Sequence, residues 1–229
     1  MKKSTEDLSL TELKKGFTLA EVLITLVIIG VIGALTVPAL IQNTQKQEYV
    51  SALKKTYSTL SQVTNQIIAE KGTPRADAGG WAVSGAEIQQ EYNKRLNNAK
   101  VCSNGKKRCI IKNGTRYYKY LNGNSYTDDF AGDALILANG AQLVFGWISQ
   151  SCGNVNWGGS GSYYTCALIL ADTNGAKGPN TFGRDVFMLA LKENGLYPAG
   201  CDLTWKTCID NGSGFGCACK VLTDDAMNY

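Results

Sequence analysis

The fold of this chain is decided by the stretch Lys14-Lys15-Gly16-Phe17-Thr18-Leu19-Ala20-Glu21-Val22-Leu23, which opens an apolar run that continues to Ile41. From Phe17 to Ile41 the run contains one charged residue, Glu21. A helix of about 25 residues is roughly 37 Å long, and the hydrocarbon core of a bilayer is about 30 Å thick. The run is therefore long enough to span a membrane as a single helix.

Glu21 separates three interpretations of this run. A charge within hydrocarbon costs at least about 2.5 kcal/mol, so an intramembrane carboxylate indicates a function. A secretory signal peptide would have a shorter apolar core and an A-x-A-like cleavage site, and the run fits neither feature. A plain single-pass anchor explains the length, but it explains neither Glu21 nor the position of Gly16 directly after two lysines.

The third interpretation is a resemblance to a known family. The pattern Gly16-Phe17-Thr18-Leu19-x-Glu21 after a basic segment resembles the prepilin peptidase signature of type IV pilins and type II secretion pseudopilins. These proteins also usually carry a helix-breaking proline where this chain has Pro38. The resemblance covers roughly residues 14 to 66 and does not extend to the rest of the chain.

The resemblance implies that residues 1–16 form a leader peptide, which the prepilin peptidase cleaves after Gly16 on the cytoplasmic side. The same peptidase would methylate the new amine of Phe17. Glu21 would neutralise the Phe17 amine of a neighbouring subunit. Because removing one partner of a buried ion pair costs about 3–5 kcal/mol, this contact would fix the register of assembly.

Gly30, Gly33 and Pro38 predict a break in the apolar helix. Proline removes a backbone donor and clashes with the preceding turn, and glycine lowers helix propensity. The resemblance implies that this region can unwind and stretch in an assembled fibre. Close helix packing is an alternative role for the two glycines, because small residues permit it.

The distribution of lysine and cysteine predicts the topology. Four lysines lie in residues 1–16, which the positive-inside rule therefore assigns to the cytoplasm, with the remainder outside. All eight cysteines lie beyond the span, and an even number in an exported domain predicts disulfides. Zinc is disfavoured because the chain has no histidine and no C-x-x-C pair. The cysteines are Cys102, Cys109, Cys152, Cys166, Cys201, Cys208, Cys217 and Cys219. We expect bridges Cys102–Cys109 and Cys152–Cys166, with the last four paired among themselves.

The helical pattern continues beyond the transmembrane segment (residues 17–41) as an amphipathic helix over residues 42–71. Gly72, Thr73 and Pro74 are expected to end it. Its apolar stripe is Tyr49, Val50, Leu53, Tyr57, Leu60, Val63, Ile67 and Ile68, which recur at steps of three and four. Residues 72–229 are then expected to form an extracytoplasmic head with a cysteine-rich C-terminal loop. A short helix should start at Ser84, where Ser-x-x-Glu has capping-box spacing.

Short strands are predicted within the head, two pairs of them around hairpin turns at Asn139-Gly140 and Glu193-Asn194-Gly195. Residues 153–162 and the tail from residue 201 are expected to be loops. The predicted strands are residues 115–121, 134–138, 141–147, 164–171, 186–192 and 196–197. The fold class is therefore α+β, a pilin-like fold in which the long N-terminal helix packs on a small antiparallel sheet with disulfide-rich loops.

The loop from Asp172 to Asp185 is similar to a loop of pseudopilins that in some members binds calcium. Asp172 and Asn174 resemble half of a calcium loop, and Asp185 could close the site with backbone carbonyls. The alternative is turn chemistry, because Asp, Asn, Gly and Pro are the residues that turns require. We expect no other cofactor.

The composition excludes several enzyme classes. Without histidine there is no Ser-His or Cys-His catalysis, and no P-loop or dinucleotide fingerprint is present. A formal charge of +4 is too small to indicate a nucleic-acid partner.

The sequence thus predicts a non-enzymatic fibre subunit, first held in the bacterial cytoplasmic membrane with its head outside and then part of a periplasmic or cell-surface fibre. The expected partners are copies of itself or other pilins and pseudopilins, the prepilin peptidase, an assembly-platform membrane protein and membrane lipid. Roles in protein secretion, adhesion and DNA uptake stay open. So does a membrane-anchored extracellular binding module that does not polymerise.

Overall fold

The computed structural model describes residues 16–97, 99–102, 118–126, 133–156, 162–175, 177–201, 208 and 212–229. Its helices are α1 (Leu19–Lys71), α2 (Gly85–Arg95) and α3 (Cys217–Asp224), with a short 3-10 turn at Ala76–Ala78. Its strands are β1 (Lys100–Cys102), β2 (Asp133–Ile136), β3 (Gln142–Gly146), β4 (Asn154–Asn156), β5 (Ser162–Tyr164), β6 (Ala167–Asp172), β7 (Val186–Lys192) and β8 (Gly195–Pro198). The chain divides into two compact units, Met1–Asn43 and Thr44–Tyr229.

Helix α1 is one helix of 53 residues. In the first unit its large apolar side chains are exposed, and within the described residues it is the helix long and apolar enough to cross a membrane. The helix ends at Lys71 because Gly72 adopts a left-handed φ of 79° and its N–H bonds the Ile68 carbonyl at 2.8 Å. The predicted helix end is therefore confirmed.

The break predicted at Gly30, Gly33 and Pro38 does not occur in α1, which continues through all three residues. Proline removes only one hydrogen bond, the one that the Ala34 carbonyl would accept. Propagating an established helix costs far less than starting a new one, so the helix continues past this defect. The prediction of a break is wrong for the single chain, and unwinding within a fibre stays a prediction.

The second half of α1 packs in the head through its predicted apolar stripe. Five stripe residues are buried: Val50, Leu53, Leu60, Val63 and Ile67. Tyr49, Tyr57 and Ile68 are partly buried against the same core. The 3.6-residue periodicity therefore identified the correct face of the helix.

The main sheet has six strands in the order β1-β2-β3-β6-β7-β8, and every neighbouring pair is antiparallel. The predicted hairpins are confirmed as β2–β3 and β7–β8. Gly140 supplies the left-handed φ of 87° that the first turn requires. A separate two-stranded sheet joins β4 and β5. The architecture is thus α+β, with a long N-terminal helix followed by a small antiparallel sheet.

Two predictions about strands and loops are wrong in their described parts. In the predicted strand at residues 115–121, Lys119 forms only isolated bridges, to Ser125 and Thr181. The loop predicted at residues 153–162 contributes β4 and the start of β5 instead. The neighbouring bridge between Cys152 and Cys166 brings its two ends together.

The tail was predicted to be a loop, but it contains α3. Cys217, Ala218 and Val221 are the buried residues of this helix. A bridged cysteine also packs as a small apolar side chain, and the helical spacing of this segment emerges only when its cysteines are counted as apolar.

The six-stranded sheet has an apolar core on each face. One core contains the α1 stripe together with residues of α2 and α3. The opposite face is covered by an aromatic layer, in which Phe182 and Phe215 meet edge to face with ring centroids 4.7 Å apart. The other rings of this layer are Tyr118, Tyr120 and Tyr126. Because Phe182 lies in the loop between β6 and β7, the layer holds that loop against the sheet.

A buried carboxylate connects α2 to the end of α1. Glu91 accepts hydrogen bonds from Lys71 at 2.9 Å, Lys94 at 2.7 Å and Arg95 at 3.0 Å, and Arg95 also contacts Glu70. Burial alone would raise the pKa of Glu91, but hydrogen bonds from Lys94, Lys71 and Arg95 outweigh it and lower the pKa to about 2. The network is therefore a stabilising contact at neutral pH.

Replacing Glu91 with Gln should lower the free energy of unfolding by about 2 kcal/mol near neutral pH, because three cations lose their carboxylate. The folded pKa lies below the ordinary value of 4.5, so the contribution is present above that value and is lost as the pH falls toward about 2. Chemical unfolding of the full chain in detergent at about pH 7 and about pH 3 measures both effects. Glu48→Gln, an exposed change on α1, is the control. An equal loss at both pH values would contradict this account.

Candidate functional site

The motif at the start of the apolar helix lies where non-helical chain meets helix. Gly16, Phe17 and Thr18 are not helical, and α1 begins at Leu19. The Phe17 side chain is 87% exposed. The peptide bond between Gly16 and Phe17 is thus in an exposed, non-helical segment, which is the kind of segment that peptidases cleave.

The carboxylate of Glu21 is held by Thr18. The Thr18 N–H donates to Glu21 Oε2 at 2.9 Å, and the Thr18 hydroxyl donates to the same oxygen at 2.8 Å. In return, the Glu21 N–H donates to Thr18 Oγ1 at 3.2 Å. These reciprocal bonds form a capping box that satisfies orphan groups at the helix N-terminus. A carboxylate at this end is also favoured by the helix dipole.

The sequence motif includes both Thr18 and Glu21, but the bond between their side chains is not among the sequence predictions. The signal was present in Thr18-Leu19-Ala20-Glu21, which has the same T-x-x-E spacing that predicted the cap at Ser84. It was missed because Glu21 was interpreted only as an intermolecular partner.

The other polar groups of the apolar run are satisfied within the helix. The Thr25 hydroxyl donates to the Val22 carbonyl and the Thr36 hydroxyl donates to the Ile32 carbonyl, both at 2.9 Å. A segment in hydrocarbon must pair its polar groups internally, because no water is available there. This arrangement and the exposed apolar side chains fit membrane anchoring.

The disulfides join segments of the head. Cys152 bonds Cys166, as predicted from the sequence. The last four cysteines pair among themselves, as Cys201–Cys219 and Cys208–Cys217. Cys102 is also disulfide-bonded, and its predicted partner, Cys109, lies outside the described residues. Bridged cysteines are neither nucleophiles nor zinc ligands, so these residues have structural roles.

The predicted calcium residues lie at the end of β6 and in the loop between β6 and β7, and two of them are fully buried. Asp172 and Asp185 have no exposed surface. Tyr118 donates to Asp172 Oδ2 at 3.1 Å. The two carboxylate oxygens of Asp185 accept the N–H groups of Asn180 and Thr181, both at 2.7 Å. Asp185 therefore organises the loop whether or not an ion binds there.

Burial and proximity change how the two carboxyl groups titrate. Burial raises the pKa of Asp172, and the charge of Asp185 raises it further, to about 8. Burial also raises the pKa of Asp185, although the amides of Thr181 and Asn180 oppose this. The Asn174 side chain is a further group that lowers the pKa of Asp185, which shows that the three predicted residues lie close together.

The donor chemistry of this loop fits a hard cation in part. Within the described residues, Asp172 Oδ1, Asn174 Oδ1 and Gln142 Oε1 are buried oxygens without a hydrogen-bond partner. Gln142 is the cross-strand neighbour of Asp172. Carboxylate and amide oxygens are the ligands that calcium takes. However, no group of three or more Asp, Glu, His or Cys side chains that could hold a metal occurs among the described residues.

Comparison with known proteins defines the class of the N-terminal segment. Residues 13–37 match the family model of the prokaryotic N-terminal methylation motif, which is the prepilin-type signal of type IV pilins and pseudopilins. No curated protein and no solved structure matches the chain. The motif, the apolar helix behind it and the α+β fold together indicate a pilin-like structural subunit.

Replacing Asp172 with Asn should flatten the pH dependence of stability when a chelator is present. The folded pKa of Asp172, about 8, lies above the ordinary value of 3.8, so the folded state keeps a proton that the unfolded chain releases. Wild-type stability should therefore fall as the pH rises from about 4 to about 8, and the variant should lack this fall. Thermal unfolding of the full chain in detergent measures it, with Asp225→Asn, an exposed change, as the control. If the stability of wild type and of Asp172→Asn depended on pH in the same way, the raised pKa of Asp172 would be refuted.

Proposed function

We propose that this chain is a non-enzymatic structural subunit of a type IV pilus-like or type II secretion pseudopilus fibre. The observation that carries the proposal is the placement of Glu21, the one charge in an exposed apolar helix, at the start of that helix. A charge at this depth is costly unless it has a partner. A neighbouring subunit with a free amine at Phe17 supplies that partner.

In this proposal the prepilin peptidase cleaves after Gly16 and methylates the amine of Phe17. Before assembly the subunit lies in the cytoplasmic membrane with residues 1–16 inside and the head outside. An assembly-platform membrane protein then delivers it to a helical fibre in the periplasm or at the cell surface. Its partners there are copies of itself or other pilins and pseudopilins.

The exposed apolar side chains of the first unit support a polymer. They are covered by lipid before assembly and by neighbouring helices afterwards, and neither environment leaves them in water. The large apolar side chains concerned run from Leu19 to Ile41 and include Leu26, Ile29 and Leu35. This segment can therefore make the apolar contacts of a polymer, and no apolar patch on the head is required.

The finer role has two candidates. The loop from Asp172 to Asp185 resembles loops of pseudopilins and favours a secretion pseudopilus. The cysteine-rich head favours a surface-exposed or minor pilin, with a role in adhesion or DNA uptake, because disulfides protect domains outside the cell. Locating the fibre in the periplasm or on the surface distinguishes the two.

The alternative from a different class is a membrane-anchored extracellular binding module that never polymerises. The head has a groove of about 430 Å³ between α1 and the β2–β3 turn. It is lined by polar residues that include Gln62, Gln66 and Asn139. An anchored module could use such a groove, but it would have no use for Glu21.

Replacing Glu21 with Ala should leave membrane insertion intact and abolish incorporation into fibres, because the neighbouring Phe17 amine loses its partner. Incorporation is measured as the fraction of subunit in fibres sheared from cells, compared with the fraction in membranes. Glu48→Ala, on the same helix beyond the apolar run, is the matched control and should assemble normally. Normal incorporation of Glu21→Ala would contradict this role of Glu21, whereas a wild type that is found only in membranes would favour the anchored module.

We also propose that the end of β6 and the loop that follows it bind calcium through Asp172, Asn174 and Asp185. The support is the pair of buried carboxylates together with the buried, unpartnered amide oxygen of Asn174 among the described residues. A divalent cation would compensate the charge repulsion that raises the pKa of Asp172. Gln142 could add an amide oxygen.

Calcium in excess should raise the melting temperature of the full chain by about 5 °C at about pH 8, relative to a chelator. Asp172→Asn should remove this response because it removes one charged ligand, and Asp225→Asn should keep it. An identical melting temperature of the wild type with calcium and with chelator would identify the loop as turn chemistry alone.

A further inference from the structure

We propose that Thr18 is a positioning residue for subunit docking, which holds one oxygen of Glu21 so that the other is presented to the Phe17 amine of a neighbour. This inference rests on the proposed function. It comes from the capping box, in which both Thr18 donors converge on Glu21 Oε2. Neither bond uses Oε1.

The capping box does not depend on the leader. Its atoms are the backbone N–H and hydroxyl of Thr18 and the backbone N–H and carboxylate of Glu21. All of them lie beyond the peptide bond between Gly16 and Phe17. Cleavage of that bond removes none of these atoms, so the same contacts are available to the processed subunit.

Thr18 provides two physical advantages to a docking carboxylate. First, charge-assisted hydrogen bonds satisfy one oxygen of Glu21 before a neighbour arrives, which lowers the penalty of a lone carboxylate in an apolar environment. Second, a free glutamate side chain loses considerable rotamer freedom when it is ordered. Holding it beforehand transfers that cost from docking to folding, which is the general benefit of preorganisation.

In this proposal the two oxygens of the Glu21 carboxylate have different partners. An ionised carboxylate can accept hydrogen bonds at both oxygens. Oε2 keeps Thr18, and Oε1 takes the amine, so docking adds a contact without first breaking one. The helix start and the docking contact therefore share one carboxylate.

The test compares three valine substitutions in the same helix. Thr18→Val keeps the shape but removes the hydroxyl that bonds Glu21. Thr25→Val and Thr36→Val are matched controls, because their hydroxyls donate only to the carbonyls of Val22 and Ile32. Thr18→Ser restores the hydroxyl. The readouts are the intact mass, which reports cleavage, and the fraction of cleaved subunit in sheared fibres.

Thr18→Val should lower the fibre fraction about fivefold, which is within the range for the loss of an N-cap hydroxyl. Thr18→Ser, Thr25→Val and Thr36→Val should assemble like the wild type. Wild-type assembly of Thr18→Val, failure of Thr18→Ser to rescue, or an equal loss in the two controls would overturn the proposal. If the wild type itself is never found in fibres, the proposed function fails rather than this inference.

If Thr18→Val is not cleaved, a second measurement tests whether the capping box is formed. Hydrogen exchange of the full chain in lipid nanodiscs reports the Thr18 amide directly. That amide should exchange about tenfold more slowly in the wild type than in Glu21→Ala, because its acceptor is the carboxylate. Equal exchange rates would mean that the capping box is not formed, and the proposal would be withdrawn.

Discussion

The carboxylate of Glu21 is the one charge between Phe17 and Ile41, and this apolar segment depends on how that charge is satisfied. In the single chain the carboxylate is satisfied within its own helix, because Thr18 donates two hydrogen bonds to one carboxylate oxygen. In an apolar environment that solution leaves a net charge uncompensated. In the proposed fibre an amine from a neighbouring subunit would remove this cost, so the residue that caps the helix would also drive assembly.

In the head, both faces of the six-stranded sheet are apolar and must be covered. The amphipathic half of α1 covers one face with a regular stripe, and an irregular aromatic layer covers the other. The loop between β6 and β7 belongs to the second face, and Asp185 of this loop and Asp172 at the end of β6 both lie in the interior. Their burial raises the pKa of both carboxyl groups, so the protonation of this region is coupled to folding.

Periodic and local signals made much of this structure predictable. The stripe from Val50 to Ile67, the cap at Ser84 and the turn at Asn139-Gly140 each depend on residues near one another in sequence. The missed elements depend on distant partners: β1 exists because β2 lies beside it, and β4 and β5 pair next to a disulfide. Pro38 was misjudged because one lost hydrogen bond was weighed without the cooperativity of a 53-residue helix.

The central claim is that this chain is processed as a prepilin. Its most direct test is the intact mass of the protein isolated from its native cell envelope, before and after reduction and alkylation. The account predicts the loss of residues 1–16 together with the addition of one methyl group at Phe17. It also predicts that the cysteines become alkylated only after reduction. A full-length, unmethylated mass would contradict the account and make the anchored binding module the better explanation.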